Sequence, residues 1–181
     1  IERICKDKYF NFIDNSLLKV AGEIQKYGDR HKQLRKNYKL ERISMKLLLI
    51  SPCQYEHRRL SNSLRIPQIS LNIIAALTPS DYEIKIVEEE LEDINFDEDC
   101  DIVGISTMTA NAPRAYKMAM EFKKRGKTVV LGGVHPTVLP HESIRYADAV
   151  IIGEAEDTWG ILLRDFEQGK LQRFYTSNHP D

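Results

Sequence analysis

The sequence predicts an α/β domain of three layers, α/β/α, built on a five-stranded parallel sheet and preceded by a helical N-terminal extension. Two observations carry this. Short β-rich apolar runs (MKLLLI, IVGIS, TVVL, AVII) alternate with stretches of helical periodicity, which calls for a parallel sheet with right-handed crossovers, covered on both faces. Three successive segments, DIVGISTMTAN, TVVLGGVHPT and ADAVIIGEAED, also pass from apolar strand to small or hydroxylated residues, as strands do when they end at an open edge. With 181 residues and 42% hydrophobic content, the chain can bury one sizeable core and a short appendage.

The elements follow in order. Residues 1–44 place Ile13, Leu17, Val20, Ala21 and Ile24 at helical spacing, with Asp14 or Asn15 as start signal, Gly28 as stop, and the basic run GDRHKQLRKNYKLER after it. That run has little aromatic interleaving beyond Tyr38 and reads as a solvated face rather than a nucleic-acid patch. At Met45 the texture changes to MKLLLISP, a buried first strand with its exit loop. A helix at 67–77 and strands at 82–87 and 102–106 come next. A helix at 113–125 follows, with Pro113 in its first turn, Ala115, Met118, Ala119 and Phe122 on one face, and Gly126 to end it. Strands at 128–131 and 149–152 and a last helix at about 157–167 complete a domain over 45–170, leaving 171–181 as a linker.

Composition excludes several classes. There are 26 basic and 27 acidic residues, a formal net charge of -1, so there is no general pull towards nucleic acid or an anionic membrane. No apolar run reaches the ~18 residues of a membrane span and no signal-peptide order is present, which makes a cytoplasmic location the default. Cys5, Cys53 and Cys100 are dispersed and odd in number, matching neither a disulfide framework nor a zinc or iron-sulfur ligand set. Cys53 falls in the first strand's exit loop, where a redox or ligand role is the alternative to a small buried hydrophobe. The acidic segment EEELEDINFDEDC has no spacing that defines a cation cage and reads as a solvated connection.

In a parallel sheet the three strand exits lie side by side, so Ser106, Thr107, Gly132, Gly133, Gly153 and Glu154 should converge. The loop after the first strand, SPCQYEHRRLSNS, is neither G-x-G-x-x-G nor G-x-x-x-x-G-K-[ST], which removes dinucleotide and P-loop readings. A receiver-type domain shares the flavodoxin-like topology but needs acidic residues where Ser51, Pro52, Ser106 and Thr107 stand, and the first loop offers no phosphate cradle for FMN. The hydroxyls and amide of Ser106, Thr107, Thr109 and Asn111, beside a Gly132-Gly133 approach free of side chains, suit a large, flat, amide-decorated ligand with a nucleotide tail.

The run VGISTMTANAPRAYKMAMEFKKRGKTVVLGGVHPTVLPHESIRYADAVIIGEAEDTW resembles the cobalamin-binding domain of cobalamin-dependent radical S-adenosylmethionine enzymes, and the likeness extends over about 45–169. The resemblance implies a flavodoxin-like sheet with the corrin over its C-terminal edge and the nucleotide tail between sheet and helices. It aligns Ser106, Thr107 and Met108 with the family's Ser-x-Leu element and Gly132-Gly133 with its Gly-Gly element. It brings Val134, His135, Pro136, Thr137, Gly153 and Glu154 near the ligand, assigns Ser106 to Thr109 to the tail, and sets Pro52, Cys53 and Gln54 towards the corrin's lower face. The family's cobalt-ligating motif Asp-x-His-x-x-Gly is absent: Glu56-His57-Arg58-Arg59-Leu60 does not satisfy it, and radical enzymes of this family commonly lack it. His57 reads as a surface residue, as do His141 and His179, while His135 is expected to contact the ligand or orient its loop rather than bind metal.

The resemblance also implies a catalytic domain with a [4Fe-4S] cluster and S-adenosylmethionine. Its C-x-x-x-C-x-x-C loop cannot be made from these three cysteines, so that radical domain is expected C-terminal to this chain, which reads as a fragment. The implied role is a cobalamin-binding module of a methyltransferase or cyclase, with no catalytic or metal-ligating residue of its own. The alternatives are a cofactor-free docking domain of the same fold, or a flavodoxin- or receiver-like signalling module.

Overall fold

The computed structural model describes residues 44–53 and 69–177, all within one compact unit that begins at Ser44. The predicted helical extension, Gln54, His57 and His179 lie outside the described residues. Strands β1 (Met45–Ser51), β2 (Tyr82–Glu88), β3 (Ile102–Ser106), β4 (Thr128–Gly132), β5 (Ala149–Ile152) and β6 (Phe174–Thr176) pair in the order β2-β1-β3-β4-β5-β6. Every pairing is parallel, with Met45 opposite Tyr82, Leu47 opposite Ile102, Ile102 opposite Thr128, Val130 opposite Ala149 and Val150 opposite Phe174. This is the flavodoxin-like order with one strand added at the far edge.

The central strands are buried on both faces, and their period-two alternation divides one apolar run between two cores. Leu48, Ile50, Val103, Ile105, Val129, Leu131 and Val150 face α2 (Ala112–Lys124), which answers with Ala115, Met118, Ala119 and Phe122. Leu47, Leu49, Ile102, Val130, Ala149 and Ile151 face the other way, towards Leu71 of α1 (Ile69–Leu77) and Trp159, Leu162 and Leu163 of α5 (Trp159–Glu167). The three-layer arrangement and the parallel sheet are as the sequence predicts.

Two readings are corrected. The sheet has six strands, not five, because β6 forms inside the segment read as a linker. Tyr175 is its anchor: the ring is buried beside α5, and its hydroxyl donates to Asp165 Oδ2 at 3.0 Å while accepting the Gln172 amide at 2.9 Å. Three residues are too short a run for alternation to be read from sequence. The exit GGVHPTVLP, read as a loop, winds instead into α3 (Val134–Val138) and α4 (Pro140–Ser143). Pro136 lies in the first turn of α3, where a missing N–H breaks no helical bond, and Pro140 opens α4 for the same reason.

Candidate functional site

The C-terminal ends of β3, β4, β5 and β6 surround the mouth of a cavity of about 730 Å³. From the mouth it runs down the α1/α5 face of the sheet, between those helices and the strands, to a floor at Leu49, Gly104, Val130 and Ile151, with Trp159 closing the side. That volume is within the ~300–1,000 Å³ typical of small-molecule sites. Gly104 gives the floor its depth, since a Cβ there would stand 2.9 Å from Leu49 Cδ2 and 3.8 Å from the indole of Trp159. Glycine inside a strand signals such a close approach; the sequence reading missed it because its neighbours are an unbroken apolar run.

The predicted strand-exit residues divide into two sets. Ser106, Gly132, Gly133, Val134, Thr137, Gly153 and Glu154 all line the cavity. Thr137 joins two of these exits, its hydroxyl donating to Gly133 O at 2.9 Å and accepting the Gly153 amide at 3.0 Å. Thr107, Met108, Thr109, His135, Pro136, Pro52 and Cys53 do not line it. Thr107 is fully buried directly under the Gly133 turn: its amide donates to Gly132 O at 2.8 Å and its carbonyl accepts the His135 amide at 3.1 Å. Its hydroxyl has no hydrogen-bond partner among the described residues. Met108 is exposed at the sheet edge, and so is Thr109.

His135 turns inward. Its ring lies 2.9 Å by Nε2 from the Tyr116 hydroxyl and 3.4 Å by Nδ1 from Thr109 Oγ1, with a Glu142 carboxylate oxygen 3.5 Å from Nε2. Tyr116 in turn meets Glu142 at 3.0 Å and Ser143 at 3.1 Å and stacks on Tyr146 with ring centroids 4.1 Å apart. Burial holds the Tyr116 phenol above the ordinary tyrosine range. The network therefore ties α3 and α4 to α2 behind the Gly133 turn.

Pro52 and Cys53 leave β1 next to the β3 exit. Asn111 ties the two exits together: its amide nitrogen donates to Pro52 O at 3.0 Å, and its amide oxygen accepts the Met108 N–H at 2.8 Å, so it does not cap α2. Glu89 completes the clamp. It accepts the Cys53 amide at 2.8 Å and the Arg114 Nε at 2.9 Å, while its own amide donates to Ser51 O at 3.0 Å. Glu89 was hidden in the acidic segment set aside as a solvated connection; nothing in that run of carboxylates distinguishes the one that folds back. Cys53 and Cys100 are buried, and burial raises the Cys100 thiol above its ordinary range. Among the described residues no group of three or more His, Cys, Asp or Glu side chains is placed to hold a metal, and no helix is long and apolar enough to cross a membrane.

The residues fit a corrinoid with a nucleotide tail in a specific way. The cavity has the size of a nucleotide-like group, and Gly132, Gly133 and Gly153 at its mouth leave the backbone open to a larger ligand.

Comparison with known proteins identifies the family. Residues 61–163 match the model of the B12 binding domain. The chain is 43% identical over 118 residues to a bacteriochlorophyllide d C-8(2)-methyltransferase of Chlorobaculum tepidum, covering 65% of this chain and 26% of that protein. It is 30% identical over 137 residues to the C-12(1)-methyltransferase of the same organism, covering 74% and 30%. An uncharacterized methyltransferase of Pyrococcus horikoshii is 30% identical over 139 residues, covering 70% and 30%. The chain thus spans less than a third of the length of these relatives. The N-terminal domain of a hypothetical protein of Thermotoga maritima overlaps with a TM-score of 0.39 at 24% identity, over 48% of this chain and 74% of that one; the fold assignment rests on strand order instead. By the family model that matches more than half of its length, from before α1 into α5, this chain belongs to the B12 binding domain family.

Proposed function

We propose that the chain is the cobalamin-binding module of a radical S-adenosylmethionine methyltransferase, whose iron-sulfur cluster and S-adenosylmethionine are held by a separate domain expected on its C-terminal side. The observation that supports this most is the cavity itself: an apolar slot between sheet and helices that opens between Gly133 and Gly153. The methyltransferase relatives favour methyl transfer over cyclisation as the parent reaction. Bound cobalamin would supply a cobalt centre able to carry a methyl group.

This chain's residues do the holding. Ser106 and Thr137 offer hydroxyls at the mouth, and Gly132, Gly133 and Gly153 let the ligand approach the backbone. Val134 and Glu154 flank the opening, while Thr107 and His135 keep the Gly133 turn in place from behind. Met108, Thr109 and Pro136 frame the same edge. Pro52 and Cys53, held by Asn111 and Glu89, would bring the β1 exit towards the macrocycle's lower face. A cytoplasmic location belongs to this reading, since three dispersed cysteines, an odd number, suit a reducing compartment better than a disulfide framework.

The test is uptake of hydroxocobalamin by the 181-residue chain, read by equilibrium dialysis, visible absorbance and quenching of Trp159, the single tryptophan, which lines the cavity. Stoichiometric colour retention with quenched fluorescence is expected. A colourless protein after dialysis, with fluorescence unchanged, would leave a cofactor-free docking domain as the better reading.

A further inference from the structure

The cavity is graded in polarity from mouth to floor, and the grading bears on which corrinoid it accepts. Every lining residue that is buried is apolar or a glycine: Leu49, Leu71, Ile105, Val130, Ile151 and Trp159, with Gly104 between them. The hydroxyls and carboxylates on the lining, Ser70, Ser106, Thr137, Glu154, Glu156 and the β6 end, are all partly or fully exposed at the mouth.

Two further facts remove hydrogen-bonding capacity from the floor. The indole N–H of Trp159, its one polar atom, donates to Thr78 Oγ1 at 2.9 Å, and Thr78 in turn donates to Ile74 O at 2.7 Å. Trp159 therefore offers the cavity only ring carbon. The floor positions of β3 and β4 are paired on both sides within the sheet, Gly104 opposite Leu49 and Val130, and Val130 opposite Ala149 as well, so their backbone groups are consumed by the ladder.

An aromatic ring lowered into this end gains apolar contact and finds, among the described residues, no donor or acceptor. A purine buried there leaves ring nitrogens and an exocyclic amine without partners, a cost that a methylated benzimidazole largely avoids. We propose that this chain discriminates among corrinoids by their lower base, taking those with an apolar benzimidazole-type base in preference to those with a purine. The proposal rests on the cobalamin reading above and adds its ligand class. Because an apolar slot rejects added polar groups only moderately, the preference is about tenfold to a hundredfold.

The experiment measures dissociation constants of the full 181-residue chain for three corrinoids: cobalamin, its adenine-containing counterpart, and cobinamide, which has no nucleotide. Cobalamin should bind at least ~10-fold more tightly than the adenine form, with cobinamide also weaker than cobalamin. The substitution Gly104→Ala, which places a methyl 2.9 Å from Leu49 Cδ2 on the floor, should weaken cobalamin while leaving cobinamide unchanged. Equal constants for the two nucleotide-bearing corrinoids, or cobinamide as tight as cobalamin, overturn base selection while leaving corrinoid binding intact. Failure to take up any of the three removes the cobalamin reading and this inference with it. Both principal comparisons use the unaltered protein and do not depend on how the variant folds.

Discussion

A Cβ added to Gly133 would stand 2.8 Å from the carbonyl oxygen of Thr107 and 3.0 Å from its nitrogen, in a backbone held at φ +100°. The β4 exit thus rests on the β3 exit with only a hydrogen atom between them, and the same Thr107 carbonyl accepts the His135 amide. Glycine is required here by both space and conformation.

Substituting Gly133 by alanine should therefore act on stability as well as on ligand uptake. The positive φ costs about 1–3 kcal/mol and the backbone contact adds to it. Thermal unfolding should show a lower midpoint for Gly133→Ala, and dialysis should show cobalamin affinity reduced by tenfold or more. An unchanged melting curve would mean that the turn can relax without disturbing Thr107.

The carboxylate of Glu89 links three chain segments, and its removal should loosen the β1 exit. Its side chain is 12% exposed and that of its partner Arg114 23%, so Glu89→Ala removes a largely buried acceptor from the Arg114 guanidinium and the Cys53 amide. A loss of about 1–3 kcal/mol is expected by urea unfolding. Glu89→Gln, which keeps an acceptor for the amide, should lose less. Hydrogen exchange at Cys53 should accelerate in the alanine variant.

Stability should fall in alkali. Burial raises the Tyr116 and Tyr175 phenols, and also the Cys100 thiol, above their ordinary values. Above the ordinary value the unfolded chain has released protons that the folded chain still holds, so unfolding becomes more favourable as pH rises. Stability is full below about pH 8.5, declines first through the thiol and then above pH ~10 through the phenols, and stops falling on their account past their folded values. Denaturant midpoints at increasing pH should follow this course, and Tyr116→Phe or Tyr175→Phe should flatten the upper part.

Removing β6 should expose the β5 edge and uncover part of the second core. A chain cut after Lys170 loses the buried Tyr175 and the half-buried Phe174, worth about 2–4 kcal/mol together. Unfolding midpoints and self-association by light scattering should both change; identical behaviour would make β6 an ornament of the sheet.

What could be read from sequence follows from how local its causes are. Ile102–Ser106 and Ala149–Ile152 are continuous apolar runs bounded by turn residues, and the structure places both strands at those residues. The helix after β3 begins one residue before Pro113 for an equally local reason. Strand exits were legible because small residues follow each run, and seven of the residues named there line the cavity. The rest depends on contacts across the sheet. Gly104 matters through Leu49 and Trp159, each 55 positions from it in the chain, which reach it only because strand and helix pack on one face. Glu89 matters through Arg114 and Cys53, and nothing beside it in the chain predicts either partner. His135 carries no local sign that it points to Tyr116 rather than to the mouth.

The register of the sheet has a kinetic corollary. Its nearest strand partners, Met45 with Tyr82 and Leu47 with Ile102, come from distant stretches of chain, so much loop entropy is lost before neighbouring strands reward it, and folding should be slow for a domain of this size. The four strand ends around the mouth meet only once that search is complete. A corrinoid that recognises the finished edge would therefore act as a latch, drawing slowly maturing molecules towards the native state by mass action and shielding them from proteolysis meanwhile.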